Sequence, residues 1–242
     1  MTVQPGLEVL LDDPRPIAGK KIGLVTNQSG VTGDLRHSVD LLHHGHGWTL
    51  TTLFGPEHGI WGEAQDMAHV DHSVDPMTGL TVYSLYGASE NDLAPRQELL
   101  RNLDALVIDL QDIGARYYTF IYTMALCMRE AARAGVQVIV LDRPNPIDGI
   151  HLEGNIREDR FSSFVGMYPL PTRHGMTAAE LARYFNKTFH LDSISSSCQC
   201  AAGSARCGGR TPGCPGCFRR RTCPPSPRPL SIPACAWSKE RT

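Results

Sequence analysis

Two stretches of this chain, Ala105–Leu110 and Val136–Leu141, are apolar at almost every position and do not alternate with polar residues. A strand with one wet face alternates; a strand covered on both faces does not, so both runs read as buried strands. Between them Thr119–Ala134 has helical spacing, and a helical crossover is what joins parallel neighbours. The same rhythm fills the earlier chain. Lys21–Thr26 is a β-rich run that stops at the turn Asn27-Gln-Ser-Gly30, and Asp34–His43 has helical spacing through Leu35, Val39 and Leu42. Thr49–Phe54 is the next strand, Leu80–Leu85 another, and Arg96–Leu103 a short helix. Thr177–Phe189 is amphipathic, with Thr177 as N-cap and Glu180 as its N3 partner. The prediction is an α/β fold: a mainly parallel sheet with flanking helices on both faces.

In such sheets ligands bind beyond the carboxyl ends of the strands. Asn27 follows the first strand, and Glu57 and His58 follow the second. Gln111, Asp112 and Arg116 follow the run at Ala105, and Asp142, Arg143 and Asn145 follow the run at Val136. Any one of these is more simply a turn residue or a helix cap. Four strand ends delivering carboxylates, amides and guanidinium groups to one edge predict an active site.

Several chemistries lack support. The formal net charge of -2 argues against a nucleic-acid or anionic-membrane partner. No apolar run is long enough to cross a bilayer, and Met1-Thr-Val-Gln-Pro5 opens no signal peptide, so a cytoplasmic protein is expected. No GxxxxGK[ST], no GxGxxG after a strand and no GxSxG elbow occurs, so no nucleotide cofactor is expected. His43, His44 and His46 read as a solvated helix end. His58, His69 and His72 could share a metal but lack a carboxylate–histidine motif, so no metal is expected. Cys127 falls within a helix pattern and reads as a core residue.

The composition breaks near residue 191. Of eight cysteines, seven lie beyond it, with seven prolines, five glycines and a charge of +6, against -8 for the first 190 residues. Cys214-Pro-Gly-Cys217 is a CxxC, yet the remaining spacings give no second knuckle and no histidine follows His190. Residues 1–190 are therefore expected to form the domain, and 191–242 to add no packed element.

The ordered motifs carry a family resemblance. Thr26-Asn-Gln-Ser-Gly30, Phe54-Gly-Pro-Glu-His-Gly59, Tyr83-Ser-Leu-Tyr-Gly87 and Asp109-Leu-Gln-Asp-Ile-Gly-Ala-Arg116 come first. Tyr117-Tyr-Thr119, Leu141-Asp-Arg-Pro-Asn-Pro146, Glu153-Gly154, Ser163-Phe-Val-Gly166 and Arg173-His-Gly-Met-Thr177 follow in order. Over roughly residues 6–190 the chain resembles the NamZ-like exo-β-N-acetylmuramidases, formerly a domain of unknown function. The resemblance implies a Rossmann-like domain followed by a smaller C-terminal domain, with the site in the cleft between them. It implies a glycoside hydrolase releasing N-acetylmuramic acid from non-reducing ends of peptidoglycan fragments. Past residue 190 the family pattern stops. Codons can be chosen for Arg206–Thr242 whose one-base shift reads family-like segments such as TGLPW and PSPNMPT, so a frameshifted tail is expected.

Glycoside hydrolysis usually uses two carboxyl groups flanking the scissile bond. The expected pair is Glu57 and Glu153, with Asp112 in reserve. Arg116, Arg143 and His174 are expected to hold the lactyl carboxylate that distinguishes muramic acid, since a guanidinium grips a carboxylate bidentately. Asn27, His58, Tyr118 and Asn145 are expected to meet sugar hydroxyls and the acetamido group. The alternative is a non-catalytic module that binds cell-wall sugar.

Overall fold

The computed structural model describes residues 3–62, 72–87 and 90–193. The chain runs through α1 (Gly6–Asp12), β1 (Lys21–Thr26), α2 (Ser38–His43), β2 (Thr49–Gly55), β3 (Ser73–Val74) and β4 (Thr81–Ser84). It continues through α3 (Gln97–Leu100), β5 (Ala105–Asp109), α4 (Phe120–Ala134), β6 (Gln137–Val140), β7 (Glu153–Ile156), β8 (Pro171–Arg173) and α5 (Ala178–Phe189).

Six strands form one sheet in the order β3-β4-β2-β1-β5-β6, while β7 and β8 pair separately as a hairpin. All neighbours in the large sheet are parallel except β3, an antiparallel edge strand. The predicted α/β architecture is what the chain adopts. Every residue of β5 is buried, which explains its unbroken apolar run. Leu106 and Ile108 face the core under α4 and α5, with Phe54, Met124 and Phe185. Ala105 and Val107 face the opposite core, with Leu7, Leu10, Val39 and Leu42 from α1 and α2. Cys127 is fully buried in the first core, and burial pushes its thiol well above the usual range.

Two helix ends show why the elements stop where they do. Gly135 takes the left-handed conformation (φ 71°) and ends α4, its N–H donating to Ala132 O. At α5 the expected capping box is present: Thr177 accepts from the Glu180 N–H, and Glu180 accepts from the Thr177 N–H. Asp142, at the end of β6, adds a clamp by accepting from Thr177 Oγ1 (3.1 Å) and Ala179 N (3.0 Å).

The helix expected from Asp34 begins only at Ser38. Thr32 Oγ1 bonds Asp34 and accepts from Arg36 N at 3.0 Å, and Leu35 sits at φ 63°. Local side-chain bonds of this kind give the backbone an alternative to the helix. Helix α1 was not evident in the sequence pattern. It is anchored by Gly6, whose N–H donates to Asp142 O at 2.8 Å and whose Cα leaves no room for a Cβ, which would lie 2.4 Å from Asp142 N. The seven tail cysteines, including the CxxC, and His69 lie outside the described residues.

Candidate active site

Strand order places a topological switch between β1 and β5, because the chain moves outward through β2 and β4 and then returns to β5. A ligand crevice is expected there. It is filled instead by protein.

Asp109, the last residue of β5, is fully buried and meets Arg143 in a two-point ion pair: Nε to Oδ1 at 2.7 Å and Nη2 to Oδ2 at 2.9 Å. Arg143 Nη1 donates to Val31 O at 3.0 Å, which ties the loop after β1 into the same knot. Gly30 closes over the pair; a Cβ there would lie 2.1 Å from Thr26 Oγ1 and 3.1 Å from Asp109 Oδ2. Arg143 is only 6% exposed, so the guanidinium expected to grip a substrate carboxylate is largely committed inside the protein.

One strand further out the picture changes. β2 ends in the turn Pro56–Gly59, closed by a Gly59 N to Pro56 O bond of 2.9 Å. His58 and Gly59 both have positive φ, 71° and 76°. A left-handed histidine is uncommon, and such conformations cluster at functional sites. The turn delivers Glu57, 8% exposed, toward the start of α4. Thr119 Oγ1 donates to Glu57 Oε2 at 2.9 Å. Thr119 holds the N-cap position of α4 yet makes no side-chain cap bond. A threonine cap is worth about 1 kcal/mol. Here the hydroxyl serves the carboxylate instead.

Tyr118 precedes it, half-buried and edge-on to Phe120 at 4.7 Å. Burial pushes its hydroxyl above the usual range, and the Asp112 and Glu57 carboxylates add to the shift. Both acids therefore stand within electrostatic reach of one phenol.

Asp112 lies deeper, 4% exposed. Its Oδ2 accepts from Gly114 N at 2.7 Å and stands 3.1 Å from His174 Nε2, while Oδ1 is sealed with no hydrogen-bond partner among the described residues. His174 is 1% exposed and its Nδ1 accepts from Met176 N at 3.2 Å. Asn145 spends both ends of its amide on the backbone, donating to Met176 O and accepting from Ile147 N. Asn27 accepts from Ser29 N and Oγ through Oδ1.

Arg116 bridges two strands of chain through Nη1, which donates to Asn155 O at 2.6 Å and Leu170 O at 2.5 Å. Nε and Nη2, the edge that fits a carboxylate, have no bond among the described residues. Glu153 lies on the hairpin strand β7. Its side chain is 63% exposed and paired with Arg173 Nη1 at 2.7 Å. The structure thus groups Glu57, Tyr118, Asp112 and His174, and leaves Glu153 on a separate element. Among the described residues no group of three or more His, Cys, Asp or Glu side chains is placed to hold a metal ion.

Comparison with known proteins identifies the lineage. The sequence model of the family described as exo-beta-N-acetylmuramidase NamZ, N-terminal, matches residues 22–202. The chain belongs to this family. A relative from Bacillus subtilis (strain 168), peptidoglycan beta-N-acetylmuramidase NamZ, is 50% identical over 191 residues, covering 78% of this chain and 45% of the relative. Two crystal structures of DUF1343 family proteins from Bacteroides fragilis NCTC 9343 are also similar. One has a TM-score of 0.72 at 41% identity, covering 80% of this chain and 48% of its own. The other has a TM-score of 0.65 at 30% identity, covering 78% and 48%. The NamZ-family chain spans about half the length of these relatives.

Sequence reasoning passed over two residues at this edge of the NamZ-family chain. Asp109 was visible as an acid closing a wholly apolar strand, and a buried charge demands a partner. Thr119 sat beside Tyr118 in a helix-start position that reads as an ordinary cap. Only the fold shows that its hydroxyl bonds a residue 62 positions away.

Proposed function

We propose that the corner built by Glu57, Tyr118 and Thr119 hydrolyses a glycosidic bond of N-acetylmuramic acid at the non-reducing end of peptidoglycan fragments. The observation that carries this is the Glu57 carboxylate, delivered by a turn with two left-handed residues and oriented through one oxygen by Thr119. An oriented carboxyl at a strand's carboxyl end is what protonation of a leaving sugar oxygen, or activation of a water, requires. The family membership and the activity for which the Bacillus relative is named support the substrate class.

Recognition follows from the same loop. Arg116 stands two residues before Tyr118, half-buried, with its Nε–Nη2 edge available for a bidentate carboxylate. The lactyl ether of muramic acid supplies that carboxylate; glucosamine lacks it. Arg143 and His174 are already engaged in the interior, so Arg116 is the member of the expected trio suited to contact. His58, within the Glu57 turn, is the partner for a hydroxyl in this reading, whereas Asn27, its Oδ1 held by Ser29, is engaged in the interior as His174 is. Glu153, with an exposed side chain, remains the second carboxyl in this reading.

The test compares a chromogenic β-N-acetylmuramide with the matching β-N-acetylglucosaminide. The expected result is release from the muramide alone, and its loss in Arg116→Met. Equal turnover of both sugars overturns the lactyl argument. Sugar binding without turnover by the wild-type chain favours a cell-wall sugar-binding module instead.

A further inference from the structure

Asp112 and His174 are two deeply buried titratable groups beside the Glu57 corner. The side chains are 4% and 0% exposed and 3.1 Å apart between Oδ2 and Nε2. Nδ1 of His174 accepts a backbone N–H, which leaves the ring proton on Nε2, facing the carboxylate. The contact lies off the line of a hydrogen bond, and neither His174 Nε2 nor Asp112 Oδ1 has a hydrogen-bond partner among the described residues. Buried polar groups left this poorly satisfied are costly and call for a reason.

The reason lies in what the pair joins. Asp112 opens the loop that ends at Thr119, and His174 follows directly on β8. Between them the loop is fastened to β8 by the Arg116 N to Thr172 O bond of 2.8 Å and by a bridge between Ala115 and Arg173. Tyr122 Oη donates to Arg116 O at 2.7 Å, holding the loop down on α4. At its far end the loop presents Tyr118 and the Thr119 hydroxyl to Glu57. Gly114, at φ 82°, makes the bend, and its N–H is the one that Asp112 Oδ2 fixes at 2.7 Å. The Thr119 hydroxyl is therefore held from two sides: by the first turn of α4, where the Tyr122 and Thr123 N–H groups donate to Thr119 O, and by a loop whose first anchor is the Asp112–His174 pair.

We propose that Asp112 and His174 are a positioning pair for Glu57, acting through the 112–119 loop, and that Asp112 is not a reacting carboxylate. This rests on the reading of Glu57 as the reacting acid. It also separates the two acids that flank Tyr118. Glu57 takes the Thr119 hydroxyl, whereas Asp112 holds the bend at Gly114. Displacements of about 1 Å at a reacting group cost about 100-fold in rate, so a loosened frame is expected to act on turnover more than on binding.

The experiment uses the whole chain and the variants Asp112→Asn, His174→Gln and Glu57→Gln. Two measurements are made: kcat and KM on the chromogenic muramide, and amide hydrogen exchange along Gly114–Thr119. Asp112→Asn is expected to lower kcat by about 100-fold with KM within about twofold, and to speed exchange of the loop at least about tenfold while β5 is unchanged. His174→Gln removes the ring but leaves the Gly114 N–H on Asp112 Oδ2, and is expected to lower kcat and the exchange protection less than Asp112→Asn does. It also keeps the test open if Asp112→Asn does not fold.

Unchanged kcat with unchanged loop exchange overturns the positioning role. A loss in Asp112→Asn as deep as that in Glu57→Gln, with the loop still protected, overturns it as well by making Asp112 a reacting group. Normal turnover in Glu57→Gln would instead overturn the reading of Glu57. The exchange data then decide separately whether the pair holds the loop.

Discussion

Two clusters of charged residues sit on the same edge of the sheet, one strand apart, and differ in what their bonds leave over. At the switch point between β1 and β5, Asp109 and Arg143 satisfy each other in two contacts, and Val31 takes a third. At the end of β2, Glu57 has one oxygen oriented by Thr119 and stands beside a half-buried phenol. The first cluster is closed and the second is open. A doubly wound sheet supplies a crevice at its switch point, but the crevice becomes a binding site only if the residues there leave it empty. Here an internal ion pair occupies it, and the chemistry we propose lies at the end of the neighbouring strand. Residue type alone does not separate the two roles; partnership does.

Substitutions can break this contrast. The largest expected effect is on turnover in Glu57→Gln, which should fall by about 10²–10⁴-fold, the usual worth of a positioned acid or base, with the thermal midpoint little changed. Chromogenic assay and thermal melt on one preparation check both halves of that statement. Arg143→Met should do the reverse. Leaving Asp109 charged and unpaired in the interior costs about 3–5 kcal/mol, read as a lower urea midpoint at unchanged m-value. Replacing both partners, Asp109→Leu with Arg143→Met, should recover much of that stability, since the cost lies in the orphaned charge.

Thr119→Val sharpens the open side. Losing one hydrogen bond to a carboxylate, worth about 1.5–3 kcal/mol, should reduce kcat by about tenfold or more, while Thr119→Ser should remain close to wild type.

The smallest effect concerns the hairpin. Partial burial alone would raise the Asp148 carboxyl. The His151 and Ile150 N–H groups, the His151 ring and Arg173 outweigh it and hold the group at about 2. A depressed carboxylate adds stability above its unfolded value of about 4, and that stability is lost as pH falls through the folded value. Arg173 also pairs with Glu153, so β7 and β8 should loosen between about pH 4 and pH 2 while the six-stranded sheet persists. Hydrogen exchange across that range would show it, and uniform loss of protection would contradict it.

The sheet was legible because its signal is local. β5 and β6 announced themselves by lacking alternation, and the Thr177–Glu180 cap by its spacing. The β7–β8 hairpin was not: Glu153-Gly-Asn-Ile156 is short and exposed, with no apolar period to read. Site chemistry was half legible. Glu57 was visible as an acid in a turn after a strand. Arg143 looked the same in kind, yet its partner lies 34 residues earlier, and only the fold brings Asp109 beneath it. Asn145 and Asp142 were rightly placed at the crest, but their side chains there bond backbone N–H and C=O groups and the Thr177 hydroxyl, so they hold loops and a helix end. Sequence shows where polar groups arrive, and long-range pairing decides which remain available.

The most direct test is a crystal structure of the Glu57→Gln variant soaked with a muramic acid glycoside. The account predicts the glycosidic oxygen within about 3 Å of the residue 57 side chain, with the lactyl carboxylate on the Nε–Nη2 edge of Arg116. A sugar seated instead over the β1–β5 switch point, displacing Arg143 from Asp109, would contradict it.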